Sequence, residues 1–157
     1  MAEYSQAIFD TLESAFDRKG WKYRFVEEKG YFRMIFTIDC KLKETTLIIR
    51  PRSSFFTVHA TIDVGADSEC RSAVAEYLTR ANYGLNWGNF EMDMNDGEIR
   101  YKILVDCGDD CECLPSDSVV ENSIILSVQM MKKYGDGLLA VMYGFKTPEE
   151  ACKEAEA

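Results

Sequence analysis

Asp96-Gly97 stands between two runs in which apolar and polar residues alternate, Phe90 to Asn95 and Glu98 to Ile103. A two-residue type I′ turn needs positive φ at both central positions, and Asp-Gly is among the pairs that supply it. Folding there places Asn95 opposite Glu98, Met94 opposite Ile99, Asp93 opposite Arg100, Met92 opposite Tyr101, Glu91 opposite Lys102 and Phe90 opposite Ile103. One face of the hairpin then collects Phe90, Met92, Met94, Ile99, Tyr101 and Ile103, and the other carries two opposite-charge pairs. A slip of one residue would expose the apolar set, so pattern and turn constrain each other.

The segment that feeds this hairpin has a helical period. Cys70, Ala73, Val74, Tyr77, Leu78, Ala81 and Leu85 recur at three- and four-residue spacing, with Asp67 or Ser68 as the expected cap and Gly84 near the end. Cys70 falls on the apolar face, where a buried, inert thiol is expected. Upstream, Tyr4, Ala7, Ile8, Leu12, Ala15 and Phe16 form the stripe of a first helix from about Ala2 to Lys19, closed by Gly20. The period then changes to two. Trp21, Tyr23 and Phe25 mark one strand; Tyr31–Asp39, Thr45–Arg50 and Phe55–Asp63 mark three more. Their short connections favour an antiparallel meander.

Downstream of the hairpin, Ser116 or Ser118 can cap a helix whose stripe is Val120, Ile124, Val128 and Met131. Tyr134-Gly135-Asp136-Gly137 predicts a kink or break in it. Thr147-Pro148-Glu149-Glu150 reads as a capping box with proline at N1, opening a short terminal helix. The expected fold is α+β, a twisted antiparallel sheet flanked by helices in the order α-β-β-β-β-α-β-β-α with that short tail. With 157 residues and no linker, residues 1–157 form a single expected domain.

Charge limits the partners. Residues 1–64 carry +1 and residues 65–157 carry −10, for a net −9. That balance disfavours nucleic acid and anionic membranes and suits a protein partner. No apolar run reaches the ~20 residues of a membrane span, and the N-terminus, with Glu3 and Asp10, lacks a basic-then-apolar signal layout, so a cytoplasmic location is expected.

Catalytic patterns are absent: there is one histidine, His59, and neither a nucleophile elbow nor a phosphate-binding glycine loop. His59 reads as a partly exposed structural residue. No enzyme activity and no cofactor are expected. Asp93-Met94-Asn95-Asp96-Gly97 does not fit an EF-hand, because its glycine comes one position early and Ile103–Leu104 stand where the glutamate belongs. The oddest local feature is Cys107-x3-Cys111-x-Cys113, in a loop with five carboxylates between Asp106 and Asp117. It supports an alternative reading as a metal or redox sensor, though its spacing does not match the paired motifs of structural zinc sites.

Several of these residues also carry a family likeness: Ala75-Glu76-Tyr77-Leu78 with Asn82, Gly88-Asn89-Phe90-Glu91-Met92-Asp93, Gly97-Glu98-Ile99-Arg100-Tyr101, Val141–Gly144, and Thr147-Pro148-Glu149-Glu150-Ala151. Together they resemble the YbjN-like family of bacterial proteins, labelled sensory transduction regulators, over about Trp21–Ala151 and most strongly over Val74–Val105. The resemblance implies a fold similar to type III secretion chaperones, which act as homodimers on extended client segments. It thus implies a non-enzymatic, chaperone-like or regulatory protein-binding domain, homodimeric, with a protein client. Candidate contact residues are Phe55 and Phe56, adjacent on one strand and facing opposite sides, and Tyr134, Leu138 and Tyr143 on the last long helix.

Overall fold

The computed structural model describes residues 3–157. Six strands form one antiparallel sheet in the order β1-β2-β3-β4-β6-β5. They are β1 Arg24–Val26, β2 Tyr31–Thr37, β3 Glu44–Pro51, β4 Phe55–Thr61, β5 Asn89–Met92 and β6 Ile99–Asp106. The helices are α1 Gln6–Lys19, α2 Arg71–Asn82, α3 Asp117–Met142 and α4 Pro148–Glu156. The expected class and element order are those observed.

The inward face of each strand is the one marked by its alternation. Phe32, Met34, Leu47, Ile49, Phe56, Val58, Ala60, Ile99, Tyr101 and Ile103 are buried beneath the helices with Ile8, Leu12, Phe16, Val74, Tyr77 and Ile124. Burying such side chains contributes about 1.5–3 kcal/mol each relative to exposure, which makes this layer the main source of stability. Among the described residues no helix lies on the opposite face of the sheet. Its residues, among them Arg33, Ile35, Ile48, Arg50, His59 and Lys102, range from half-buried to exposed.

Helix boundaries follow local chemistry. Ser5 caps α1, accepting from the Ile8 N–H, and Gly20 ends it in the left-handed conformation. The helix thus starts later than expected. Tyr4 lies before it but still stacks on Phe9 at 5.7 Å; Ala2, the expected start, is outside the described residues. Neither Asp67 nor Ser68 caps α2 with a side chain: a main-chain turn precedes it, with the Cys70 and Arg71 N–H groups donating to the Asp67 carbonyl. Cys70, expected to be buried, is half-buried. Ser116, rather than Ser118, caps α3, and the Thr147–Glu150 capping box opens α4 as expected.

Two expectations fail for tertiary reasons. The first is the break at Gly135–Gly137: α3 runs unbroken for 26 residues. Those glycines are sites of close approach. A Cβ at Gly135 would lie 2.6 Å from Leu42 Cδ1, and one at Gly137 2.4 Å from the Tyr77 hydroxyl.

The second is the hairpin register. Phe90 lies opposite Tyr101, Glu91 opposite Arg100 and Met92 opposite Ile99, a shift of two residues from the expected pairing. Instead of a two-residue turn, Met94–Gly97 form a four-residue loop. Its ends are tied by Asp93 N–H to Glu98 O at 2.9 Å and Gly97 N–H to Asp93 O at 2.7 Å. The Asp93 and Asp96 carboxylates accept from the Asn95 and Glu98 N–H groups, stabilising that loop locally. Arg71 on α2 holds it from outside, donating to the carbonyls of Ala66, Met94 and Asn95.

A shift of two keeps every strand side chain on its expected face, so the apolar set survives except for Met94, which leaves the strand and is exposed. The charge pairs change partners: Glu91 receives both Arg100, at 2.5 Å, and Lys102, at 2.9 Å. At the far edge, the Asn82 side chain both donates to Phe90 O and accepts from Phe90 N–H, satisfying outward main-chain groups of β5.

Candidate protein-binding surface

The five candidate contact residues separate into core and surface. Phe56 is completely buried, and Tyr134 and Leu138 are 2 % exposed. Each belongs to the packed layer between α3, α2 and the sheet, so none of the three can meet a partner while the fold is intact. On α3 the helical period turns Tyr134, Leu138 and Val141 inward as one stripe. Phe55 is half-buried on the bare side of the sheet. Tyr143, just past the end of α3, is 64 % exposed.

Tyr143 does not stand alone. After the turn at Gly144, Phe145 is 81 % exposed, its ring centroid 6.4 Å from that of Tyr143. Both rings border a cleft of about 610 Å³ between α3, α4 and the β2–β3 loop. Small residues, Gly137, Ala140, Ala151 and Ala155, contribute to its lining, and Lys41, Lys133 and Asp136 are among its polar groups. A second hollow of about 250 Å³, reaching the ends of β3 and β4, shares Lys41, Leu139 and Tyr143 with the first. Tyr143 thus stands at the border of both hollows. Phe145 was legible in principle: it is a large apolar residue in a Gly-Phe-Lys turn, at the end of the apolar run that begins at Leu138. Trp87, 67 % exposed in the loop before β5, carries the same signal.

The cysteine loop holds less than its spacing suggests. Cys107 is buried, and burial, with Cys111, Asp106 and Cys113 nearby, pushes its thiol up to about 11. Such a thiol stays protonated at neutral pH and is a poor nucleophile or ligand. Cys111 takes φ +56° and directs its Sγ at Ser5 Oγ and Ser53 O, while Cys113 faces solvent. Among the described residues no group of three or more His, Cys, Asp and Glu is placed to hold a metal ion. His59 is half-buried on the bare sheet face, its pKa lowered to about 4 by burial first and then by Arg100. Among the described residues no helix is long and apolar enough to cross a membrane.

A helix layer on one face of an antiparallel sheet, with an aromatic groove at one end, defines an α+β domain whose visible features are surfaces. The chain belongs to the YbjN family, described as "putative bacterial sensory transduction regulator", whose family model matches residues 9–139. In three dimensions it is similar to the crystal structure of YbjN, a putative transcription regulator from E. coli. The TM-score is 0.61 at 11% sequence identity, over 81% of this chain and 90% of that one. At that identity the likeness is one of fold. Among curated proteins, none matches the chain.

Proposed function

We propose that the chain is a non-enzymatic regulatory domain that works by binding another protein, with the groove beside α3 and α4 as its docking surface. The observation that carries this reading is the Tyr143–Phe145 pair. Two large aromatic rings left in water beside a groove lined partly by glycine and alanine form a surface that gains free energy when covered. A regulator-type family agrees with a binding role. The resemblance to secretion chaperones suggests the ligand form, an extended or amphipathic client segment whose apolar side chains enter the groove.

The test is photo-crosslinking from a reactive side chain placed at Leu139 or Lys146, in the native cell, with and without Tyr143→Ala and Phe145→Ala. A defined adduct that disappears in the double variant supports the reading. Equal labelling in both, with the variant folded, sinks it. Adducts of twice the chain's mass would identify a homodimer as the occupant.

A further inference from the structure

The bare face of the sheet carries a charge pattern that the chain's overall balance does not predict. Reading across the strands, Arg24, Arg33, Ile48, His59, Lys102 and Asn89 stand in one transverse row, each directly opposite the next. The neighbouring row on one side includes Arg50, Thr57 and Leu104; the row on the other side includes Ile35, Thr46, Thr61 and Arg100. A chain of net charge −9 thus places Arg24, Arg33, Arg50, Arg100 and Lys102 together on one surface. Glu91 is the carboxylate within these rows, and it is already engaged by Arg100 and Lys102. Glu44 and Asp106 stand at strand ends.

Part of this arrangement works against folding. Arg24 directly opposite Arg33 is a like-charge cross-strand pair, which is destabilising. Arg50 is more telling. Its guanidinium lies 5.2 Å from the Tyr31 ring, and its Nε is buried with no hydrogen-bond partner among the described residues. The half-buried side chain has no carboxylate partner among the described residues, so the open part of its guanidinium remains available to an acceptor arriving from outside.

We propose that this face docks an acidic segment of a partner protein, its carboxylates pairing with Arg33, Arg50 and Lys102 and its apolar side chains resting on Ile35, Ile48 and Leu104. Six strands give five interstrand spacings of ~4.8 Å, so the row spans ~24 Å, the reach of about seven extended residues. Charge complementarity selects an acidic peptide over nucleic acid. A phosphate backbone extends its charge past the patch and meets the acidic remainder of the molecule, whereas a short acidic segment keeps its charge over the cations. Thr46 and Thr61 border both this face and the second hollow, but Arg33, Arg50, Ile48 and Leu104 line neither hollow, so either surface can fail without the other.

The experiment uses the full chain and three labelled probes: the peptide Glu-Glu-Leu-Leu-Glu-Glu-Leu, its Gln-for-Glu counterpart, and a single-stranded oligothymidylate. Binding is followed by fluorescence anisotropy at low and high salt. Ring-proton NMR of the chain's only histidine, at the centre of the face, reports occupancy. The acidic peptide should bind with salt-sensitive affinity, with the glutamine counterpart at least about tenfold weaker. Arg50→Ala should weaken the acidic peptide roughly tenfold. Arg33→Glu, at an exposed position where it removes the like-charge pair with Arg24, should weaken it as well, while Tyr143→Ala should not. Bound carboxylates should raise the His59 midpoint from about 4. Equal binding of the acidic and neutral peptides, tighter binding of the oligonucleotide, insensitivity to Arg33→Glu, or self-association that buries His59 would each overturn the proposal.

Discussion

Tyr77 on α2 donates its hydroxyl to the main-chain carbonyl of Tyr134 on α3 at 2.7 Å, and that hydroxyl occupies the space where a side chain at position 137 would begin. The two features depend on each other: α3 can approach α2 closely because Gly137 has no Cβ, and the approach brings the carbonyl within reach. Gly137→Ala should cost about 1–3 kcal/mol by overpacking. Tyr77→Phe should cost about 1 kcal/mol for the lost buried hydrogen bond. In the double variant the costs should fall short of additive, because removing the hydroxyl relieves the clash. Denaturant titration of the four proteins checks this, and strict additivity would contradict the coupling.

The hairpin loop should depend on α2 as much as on its own turn. Gly97 has φ +83°, and a Cβ there would fall 2.0 Å from the Ala66 carbonyl oxygen. Gly97→Ala should therefore destabilise by more than about 3 kcal/mol, as forbidden backbone conformation and overpacking act together. Arg71→Ala should cost about 1–2 kcal/mol by leaving the Ala66, Met94 and Asn95 carbonyls without their charged donor. It should also raise hydrogen exchange selectively across Asp93–Glu98. Uniform exchange along the chain would show that Arg71 does not hold the loop.

Acid should weaken the fold partly through one residue. His59 titrates in the folded state at about 4, below its ordinary 6.5, because of burial and the nearby Arg100, Arg50 and Lys102, with Glu91 opposing them. A lowered histidine pKa means the unfolded chain binds the proton first. The associated stability is complete above pH 6.5 and lost as pH falls towards 4. The full shift corresponds to about 3 kcal/mol, which partial exposure of the ring reduces to about 1–2 kcal/mol. His59→Gln should flatten that part of the profile, seen as a smaller Tm difference between pH 7 and pH 4.5 than in the natural chain. Parallel profiles would count against it.

The three loop cysteines should differ in reactivity. Exposed Cys113 should be alkylated first, half-buried Cys111 more slowly, and Cys107 only on unfolding, because its thiol is buried and raised to about 11. Mass spectrometry of timed iodoacetamide reactions gives the order directly. Early labelling of Cys107 would show that the loop opens in the native state.

Local pattern located most of this molecule. The alternation in Tyr31–Thr37, Glu44–Pro51 and Phe55–Thr61 identified the inward face of each strand, because strand side chains must alternate and only one face can be dry. The capping box at Thr147 and the stop at Gly20 were readable because they depend on neighbours within a few residues. The candidate surface was only partly legible. Tyr143 could be found, but the expected break at Gly135–Gly137 cut Leu138 off from the Val120–Met131 stripe, which the unbroken α3 carries on through Tyr134 and Leu138 into the core.

What the sequence determined by itself was the class of fold, the order of its elements and the face each strand side chain takes, all consequences of periods of 2 and 3.6 residues. Tertiary structure decided the rest. It kept α3 whole because Gly135 and Gly137 make room for Leu42 and Tyr77. It set the hairpin register because Arg71 and Ala66 hold a longer loop than Asp96-Gly97 alone would choose. It gathered five basic side chains from four strands onto one uncovered face, since sheet neighbours distant in sequence become adjacent only when the strands pair.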